Sequence, residues 1–307
     1  MVRFIIIRLL QACVALIGIT VIVFFLLRIS GDPMQLLANP NMSKAQYEAI
    51  KERLGLNKSV GEQLWIYLQD LARGDLGQSL VKEKPVITMI GESLPNTLKL
   101  TIPSFIISML LAFFLGVMAA TFRDSWWDNL VKFLAVLGQA LPGFWVAIMA
   151  MLIFSVYLHW LPSSGMDSPA AYVLPLGTMI FFMLPGMMRL VRSTMLDVLD
   201  SEYIKLARIK GLPERVVIWK HALRNALITP LTTIGMLLPG LVMGAVITEQ
   251  IFNWPGMGMM ILQSTFNRDF PVVQAITILT AILVLGINLL VDISYAWVDP
   301  QIRYQRT

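Results

Sequence analysis

Few residues in this chain could do covalent, metal or proton chemistry. It has two histidines, His159 and His221, and one cysteine, Cys13. A zinc site needs three or four imidazole, thiolate or carboxylate ligands gathered at one point, and these three side chains are scattered along the sequence. The phosphate loop GxxxxGKS/T is missing, and so are HExxH, CxxC and GxSxG. No residue is therefore assigned a catalytic, cofactor-binding or metal-binding role. An enzymatic reading has nothing to stand on.

One charged stretch does stand out: Glu202–Gly211 reads EYIKLARIKG within very apolar surroundings. Tyr203, Leu206, Ala207 and Lys210 share one face at i, i+3, i+4 and i+7, while Lys205 and Arg208 point elsewhere. Gly211 suits a left-handed helix stop, and Pro213 blocks continuation and fits the first turn of a new helix. That second helix is PERVVIWKHALRNAL. The pattern describes a short knob turned back on itself. Such a knob can receive a cytoplasmic partner, or it can rest as an amphipathic loop on lipid headgroups.

The elements that must position the knob follow from composition. Of 307 residues, 57% are hydrophobic and 14% charged, against about 25% charged in a soluble domain. Six stretches lack Asp, Glu, Lys and Arg: 9–27, 100–122, 133–166, 168–188, 225–248 and 270–291. A helix needs about 20 residues to cross a hydrocarbon core of about 30 Å. Because lipid cannot hydrogen-bond to backbone amides, each stretch reads as a helix rather than a strand. The expected fold is an all-α polytopic membrane protein with six transmembrane helices. The first run is too long for a signal-peptide core, and no small-x-small cleavage site follows it, so it reads as a retained anchor.

With six spans, both ends lie on one side. Placing that side in the cytoplasm puts Arg3, Arg8, Arg123, Lys132, eight cations between Arg189 and Arg224, Arg303 and Arg306 inside. The short outer loops at 162–167 and 249–269 then hold only Arg268. Fourteen cations against one satisfy the positive-inside rule. The net charge of +5 is explained by this distribution, so nucleic acid is not implied.

Residues 1–29 form the first helix, and 30–93 form an extracytoplasmic insertion with soluble character. SKAQYEAIKERLGL has Ser43 as N-cap and Gly55 as terminator, and GEQLWIYLQDLARGDLG repeats the design with Leu64, Tyr67, Leu68 and Leu71 on one stripe. The insertion is read as a helical cap over the outer mouth or as a docking site for a soluble partner. A core over 94–298 follows, with spans near 98–122, 133–157, 171–189, 225–248 and 272–297 and a cytoplasmic loop at 193–224. Residues 299–307 are a cytoplasmic tail.

Trp126, Trp127, Tyr295 and Trp297 fit an inner aromatic belt, and Trp160 and Trp254 an outer one. Prolines 103, 142, 175, 185, 230 and 239 fall within spans, where neighbours can accommodate the bends. Gly116, Ala119 and Ala120, or Gly235, Gly240 and Gly244, permit close helix contact. Asn253, Pro255, Gly256 and Gly258 follow span five on the outside, as part of an outer gate or as a plain turn built on Pro255 and Gly256. The 19 methionines read as flexible packing rather than a metal site. Pumps and proton-coupled carriers place titratable groups at depth, and the interiors of all six runs have no acidic residue. Sodium coupling through broken helices stays open. The sequence therefore describes a permeation domain without a visible engine.

EYIKLARIKGLPERVVIWKHALRNALITP resembles the EAA loop of inner-membrane permease subunits of binding-protein-dependent ABC importers. The matching positions are Glu202, Ala207, Gly211, Ile228 and Pro230, while Tyr203 and Ile204 stand where other branches have alanines. RFIIIRLLQ…FFLLRISGDP, LPNTLKLT, EQIFNWPGMG, RDFPVVQA and NLLVDISYAWVDPQIRY look like the dipeptide/oligopeptide/nickel branch, in the right order across nearly the whole chain.

The resemblance implies the type I ABC importer permease fold in a bacterial inner membrane. It implies a second homologous permease subunit, two cytoplasmic ABC ATPase subunits and an extracytoplasmic substrate-binding protein. ATP and magnesium would bind those ATPase subunits, with no cofactor in this chain. Glu202, Tyr203, Ala207 and Gly211 are then the expected ATPase-coupling residues, Ala207 and Gly211 because close docking leaves no room for larger side chains. A peptide is the expected cargo, with nickel or another metal chelate and glutathione as alternatives. Outside this class stand a secondary transporter and a scaffold that recruits a cytoplasmic partner.

Overall fold

The computed structural model describes residues 2–29, 34, 44–53, 55–237 and 240–298. Ser43, Pro239 and the 299–307 tail therefore lie outside the described residues, as do the surroundings of Gly240 and Gly244 and the side chains of Tyr295 and Trp297. Among the described residues there is no β-strand, and Gln78 and Pro85 form an isolated bridge.

The chain divides into two compact units, residues 97–254 and residues 1–96 with 255–307. In the second of these, α1 (Val2–Ile29) packs along α14 (Phe270–Val298). Between them in sequence come α2 (Lys44–Arg53), α3 (Val60–Ala72) and the first turns of α4 (Val86–Thr121). Helix α3 starts with a capping box: Glu62 N–H donates to Ser59 Oγ, and the Ser59 amide donates to the Glu62 carboxylate at 3.0 Å. That amide bond, joined by the Ser59 hydroxyl, holds the Glu62 carboxyl below its ordinary range. Gly55 ends the preceding segment at φ +65°, as expected of a terminator.

Helix α3 lies against the end of α1. Phe24, fully buried, stacks on Tyr67 at 5.8 Å, and the Arg28 guanidinium sits 3.3 Å above the Phe24 ring. The loop after α3 is latched through Asp269, just ahead of α14. Its carboxylate accepts from Ser79 Oγ at 2.5 Å and from the Leu80 amide at 3.0 Å. Helix α13 (Met257–Phe266) precedes that point, so the stretch 249–269 is not the plain loop expected from sequence.

In the unit of residues 97–254, α4 continues to Thr121. It is followed by α5 (Trp126–Ala140) and α6 (Gly143–Met151), the latter extended as a π-helix over Leu152–Tyr157. A bend of 100° separates α5 from α6, with Pro142 as the capping residue of α6. The third expected span is thus replaced by two helices meeting at a sharp bend, since proline cannot continue the hydrogen-bond ladder. Helix α7 (Val173–Leu199) runs on from a 3-10 turn at Pro169–Tyr172. Then come α8 (Glu202–Ile209), α9 (Glu214–Val216), a π-helical turn (Val217–Ala222), α10 (Leu223–Ala226), α11 (Ile228–Leu237) and α12 (Gly240–Ile251).

Four helices among the described residues are long and apolar enough to cross a membrane, or five when the bent pair is counted as one span. The expected span at 225–248 falls instead on α10, α11 and α12, with 238 and 239 outside the described residues. Helix α4 begins at Val86, well before its charge-free run. Glu92, Lys99 and their neighbours belong to this same helix.

Small residues set the helix spacing. A Cβ on Gly116 would lie 2.8 Å from Val191 Cβ and 2.9 Å from the Met188 carbonyl, so α4 and α7 touch at backbone distance. Gly138 on α5 receives the ring of Pro185, the proline inside α7. Ala119 and Ala120 are buried beside the first contact, as close packing in membranes favours. Gly138→Val is expected to push α5 off Pro185 and lower stability by about 1–3 kcal/mol, the usual cost of overpacking. Thermal unfolding of the detergent-solubilised chain measures it, against Gly177→Ala, where a Cβ meets nothing within 4 Å.

Candidate functional site

The 202–211 stretch folds as the helical knob α8, and its residues divide differently from expectation. Ile204 is fully buried, and Ala207 is half-buried against the same core as Leu199, Val217, Ile218 and Ala222. Ala207 therefore faces its own chain, where a larger side chain would lift α8 off its seat. Tyr203, Leu206, Ile209 and Leu212 stay exposed, Ile209 at 81%. The sequence reading had Ala207 beside Tyr203 and Leu206 on one face and missed Ile204. The overlooked signal was Ile204, Ala207 and Gly211 at i, i+3 and i+7.

The knob is rigid at both ends. Gly211 adopts φ +77°. Its amide donates to the Arg208 carbonyl at 2.9 Å, and the Leu212 amide reaches the Ala207 carbonyl at 3.4 Å. These two bonds form a Schellman stop, which needs a left-handed residue and so glycine. Across the turn Arg208 grips Glu214 with two bonds, 2.7 and 3.2 Å. That bond raises the arginine's pKa and holds the Glu214 carboxyl below its ordinary range. Glu202 occupies the first turn, where the helix dipole favours an anion, and accepts from Lys205 at 2.8 Å. Asn225 donates to the Tyr203 hydroxyl at 2.9 Å and ties α8 to α10. Pro213 is the cap residue of α9 rather than part of its first turn.

A charged clamp lies where α5 and α7 meet. Asp128 is completely buried, yet its carboxylate accepts from Arg192 at 2.5 and 2.9 Å, from Lys132 at 2.8 Å and from the Asp124 amide at 3.0 Å. A buried carboxylate persists only when its lone pairs are filled. Lys132 and Arg192 counted as topology signals in the sequence, and neither pointed to Asp128 as their partner.

Trp254 is not an interfacial belt residue. It is fully buried with Leu100, Met179 and Ala245, and Tyr172 meets it edge-on at 4.7 Å. Trp126, Trp127 and Trp160 are exposed, as belt residues should be. In the 253–258 stretch the left-handed residue is Asn253, at φ +49°. Gly256 instead caps α13 with extended backbone, Gly258 is buried, and the Pro255 carbonyl accepts from Asn96. The turn expected from Pro255 and Gly256 is therefore made one step earlier. Glu249, just past a charge-free run, is fully buried and accepts from Thr97 Oγ1 at 2.6 Å. His159 and His221 lie apart on separate elements, and the described residues contain no cluster of metal-ligating side chains.

Residues 112–304 match the family model described as binding-protein-dependent transport system inner membrane component, and residues 1–101 match the N-terminal model of the same system. The chain belongs to this family. It is a permease component of ABC importers. The oligopeptide transport system permease protein AppB of Bacillus subtilis is 38% identical, over 99% of this chain and 100% of that one. The glutathione transport system permease protein GsiC of Escherichia coli O6:H1 is 37% identical, over 99% and 100%. Among solved structures, an amino acid ABC transporter crystallised with histidines shares the fold. It is 16% identical, with a TM-score of 0.54 over 67% of the permease and 92% of that chain.

Asp128→Ala is expected to lower the permease's stability by about 3–5 kcal/mol, because Arg192 loses its buried partner. Asp128→Leu with Arg192→Met should recover most of the loss in the same thermal melt. The Arg208–Glu214 grip has the opposite reach. Glu214's pKa is depressed on folding, so the pair is fully present above the ordinary carboxylate pKa of about 4.3. It is lost only as pH falls through the lower folded value. Protection of the 211–216 amides, taken relative to their intrinsic exchange at each pH, should therefore fall on acidification below about pH 4, and Glu214→Gln should show that reduced protection already at pH 7.

Proposed function

We propose that this permease imports a peptide delivered by an extracytoplasmic binding protein. It does so as one of two homologous permease subunits powered by two cytoplasmic ABC ATPase subunits. Helix α8 is the surface on which an ATPase subunit acts. The observation that carries this reading is the two-sided knob: Ile204 anchors it inward, while Tyr203, Leu206 and Ile209 offer an apolar stripe outward. A stripe meant for hydrocarbon would not need the charged residues Glu202, Lys205, Arg208 and Lys210 around it, whereas a protein cleft accepts both. Gly211 and the Arg208–Glu214 grip make the stripe a rigid contact that can pass on a push.

The cytoplasmic placement of α8 and of both chain ends rests on the cation count. Fourteen Lys and Arg residues fall on the proposed inner side, which the positive-inside rule assigns to the cytoplasm. Peptide as cargo rests on the relatives. The Bacillus subtilis relative bears the name of an oligopeptide system and the Escherichia coli relative that of a glutathione system, and glutathione is itself a tripeptide. Asn253, Pro255, Gly256 and Gly258 would serve the outer gate. Nucleotide closure in the ATPase subunits would bias the permease between inward-facing and outward-facing arrangements.

Proteoliposomes containing the permease, its partner subunits, binding protein and internal ATP test this. Leu206→Asp with Ile209→Asp should leave the thermal melt unchanged, since both side chains are exposed, and reduce peptide uptake at least tenfold. Uptake at the unaltered rate would remove α8 as the coupling surface. Uptake by the unsubstituted system that persists without the ATPase subunits would overturn the import reading itself.

A further inference from the structure

A cavity of about 610 Å³ lies within the unit formed by residues 1–96 and 255–307, between α3, the end of α1 and the start of α14. Its size suits a small ligand. Its lining holds four charges, Arg28, Asp70, Asp75 and Glu83. Among the described residues none of the four has an ion-pair partner. Arg28 bonds only to neutral acceptors, the Gln63 side chain at 2.8 and 3.0 Å and the Phe24 carbonyl at 3.3 Å. Asp75 accepts the Gly77 amide at 2.8 Å.

Gln274 also lines this cavity. It is 94% buried, and its Nε2 has no hydrogen-bond partner. An unmet buried donor costs about 1–3 kcal/mol, a cost that ordinary packing would have removed with a leucine. The neighbouring Ser79 hydroxyl donates to Asp269 and accepts from the Lys82 amide at 2.9 Å, and does not meet the Gln274 donor.

We propose that this cavity binds a head group made of an ammonium with an oxygen acceptor beside it. Arg28 and Gln274 take the oxygen, and Asp70, Asp75 and Glu83 take the ammonium. Carboxylates outnumber the cation, so an anion alone is disfavoured and a group carrying positive charge is favoured. The amino end of a peptide has this chemistry in its ammonium and first carbonyl, and an ethanolamine phospholipid has it in its ammonium and phosphate. The peptide assignment rests on the import reading above. It places a site of selection on the permease itself, beneath the inserted helices, in addition to any on the binding protein.

Equilibrium dialysis tests this with the complete transporter in phosphatidylcholine nanodiscs, without ATP or binding protein, using labelled alanyl-alanine. Saturable binding is expected, with N-acetyl-alanyl-alanine failing to compete. Gln274→Leu should weaken binding at least tenfold while leaving the melting temperature unchanged or raised, because it removes an unmet donor. Asp70→Asn should weaken binding as well. Displacement of the dipeptide by phosphatidylethanolamine nanodiscs would support the same site with lipid as its source. No saturable binding, or equal binding by Gln274→Leu and the unsubstituted protein, would overturn the site. Uptake measured in parallel keeps the two readings apart: import of the dipeptide with no binding here sinks only the cavity, and loss of import by the unsubstituted system sinks the function.

Discussion

Hydrocarbon offers no hydrogen bonds, and the rest of this structure follows from that one deficit. Backbone groups inside the bilayer must pair within their own segment, which leaves helices as the available element here. Ionised side chains are forced to the ends of the spans, and any that are buried must bring their partners with them. Asp128 shows the second requirement met: three donors, from Arg192, Lys132 and the Asp124 amide, surround a carboxylate with no exposure. Such a pair adds little net stability compared with an apolar one, yet losing either member is costly. Its value is positional, since it fixes α5 to α7 at one register.

Helix α8 must be seated by packing and by its ends rather than by its own propensity. A helix of two turns is not stable alone in water. Burying Ile204 contributes about 1.5–3 kcal/mol, and the Schellman stop, the Arg208–Glu214 grip and the Asn225–Tyr203 bond restrict what remains. Ile204 alone is buried, and the side chains of Tyr203, Leu206 and Ile209 are left exposed. Covering Ile209 alone would return a similar amount of free energy to a docking partner. The knob can therefore hold a partner firmly without being pulled from its own seat.

The large features were legible in the sequence because they depend on local chemistry. Charge-free runs locate hydrocarbon, and Gly211 followed by Pro213 marks a stop. Run length reports membrane thickness rather than helix length, which is why α4 extends back to Val86 through Glu92 and Lys99. Features made by distant segments were not legible. Trp254 reads as an interfacial residue until Leu100, Met179 and Tyr172 close over it. Asp128 reads as an ordinary first-turn acid until Arg192 arrives from α7. The facing of α8 was misjudged because two overlapping stripes fit its eight residues, and only the core beneath decides between them. The capping box at Ser59 and Glu62 was readable from spacing alone and was missed.

The connection from α8 into the bundle is short. Ser201 and Asp200 join α8 directly to α7, so there is no slack loop to absorb displacement. Along α7 the first strong cross-link is Arg192, held to Asp128 on α5, so the two helices must shift together at that level. About seven residues further, roughly 10 Å along the axis, Pro185 interrupts the α7 ladder and rests in the notch left by Gly138 on the same α5. A proline in a helix bends more readily than the turns around it, and here its partner helix has a glycine at the contact. The clamp and the notch thus divide the labour: one fixes α5 to α7 at a single register, and the other gives the proline ring of α7 room against the same helix.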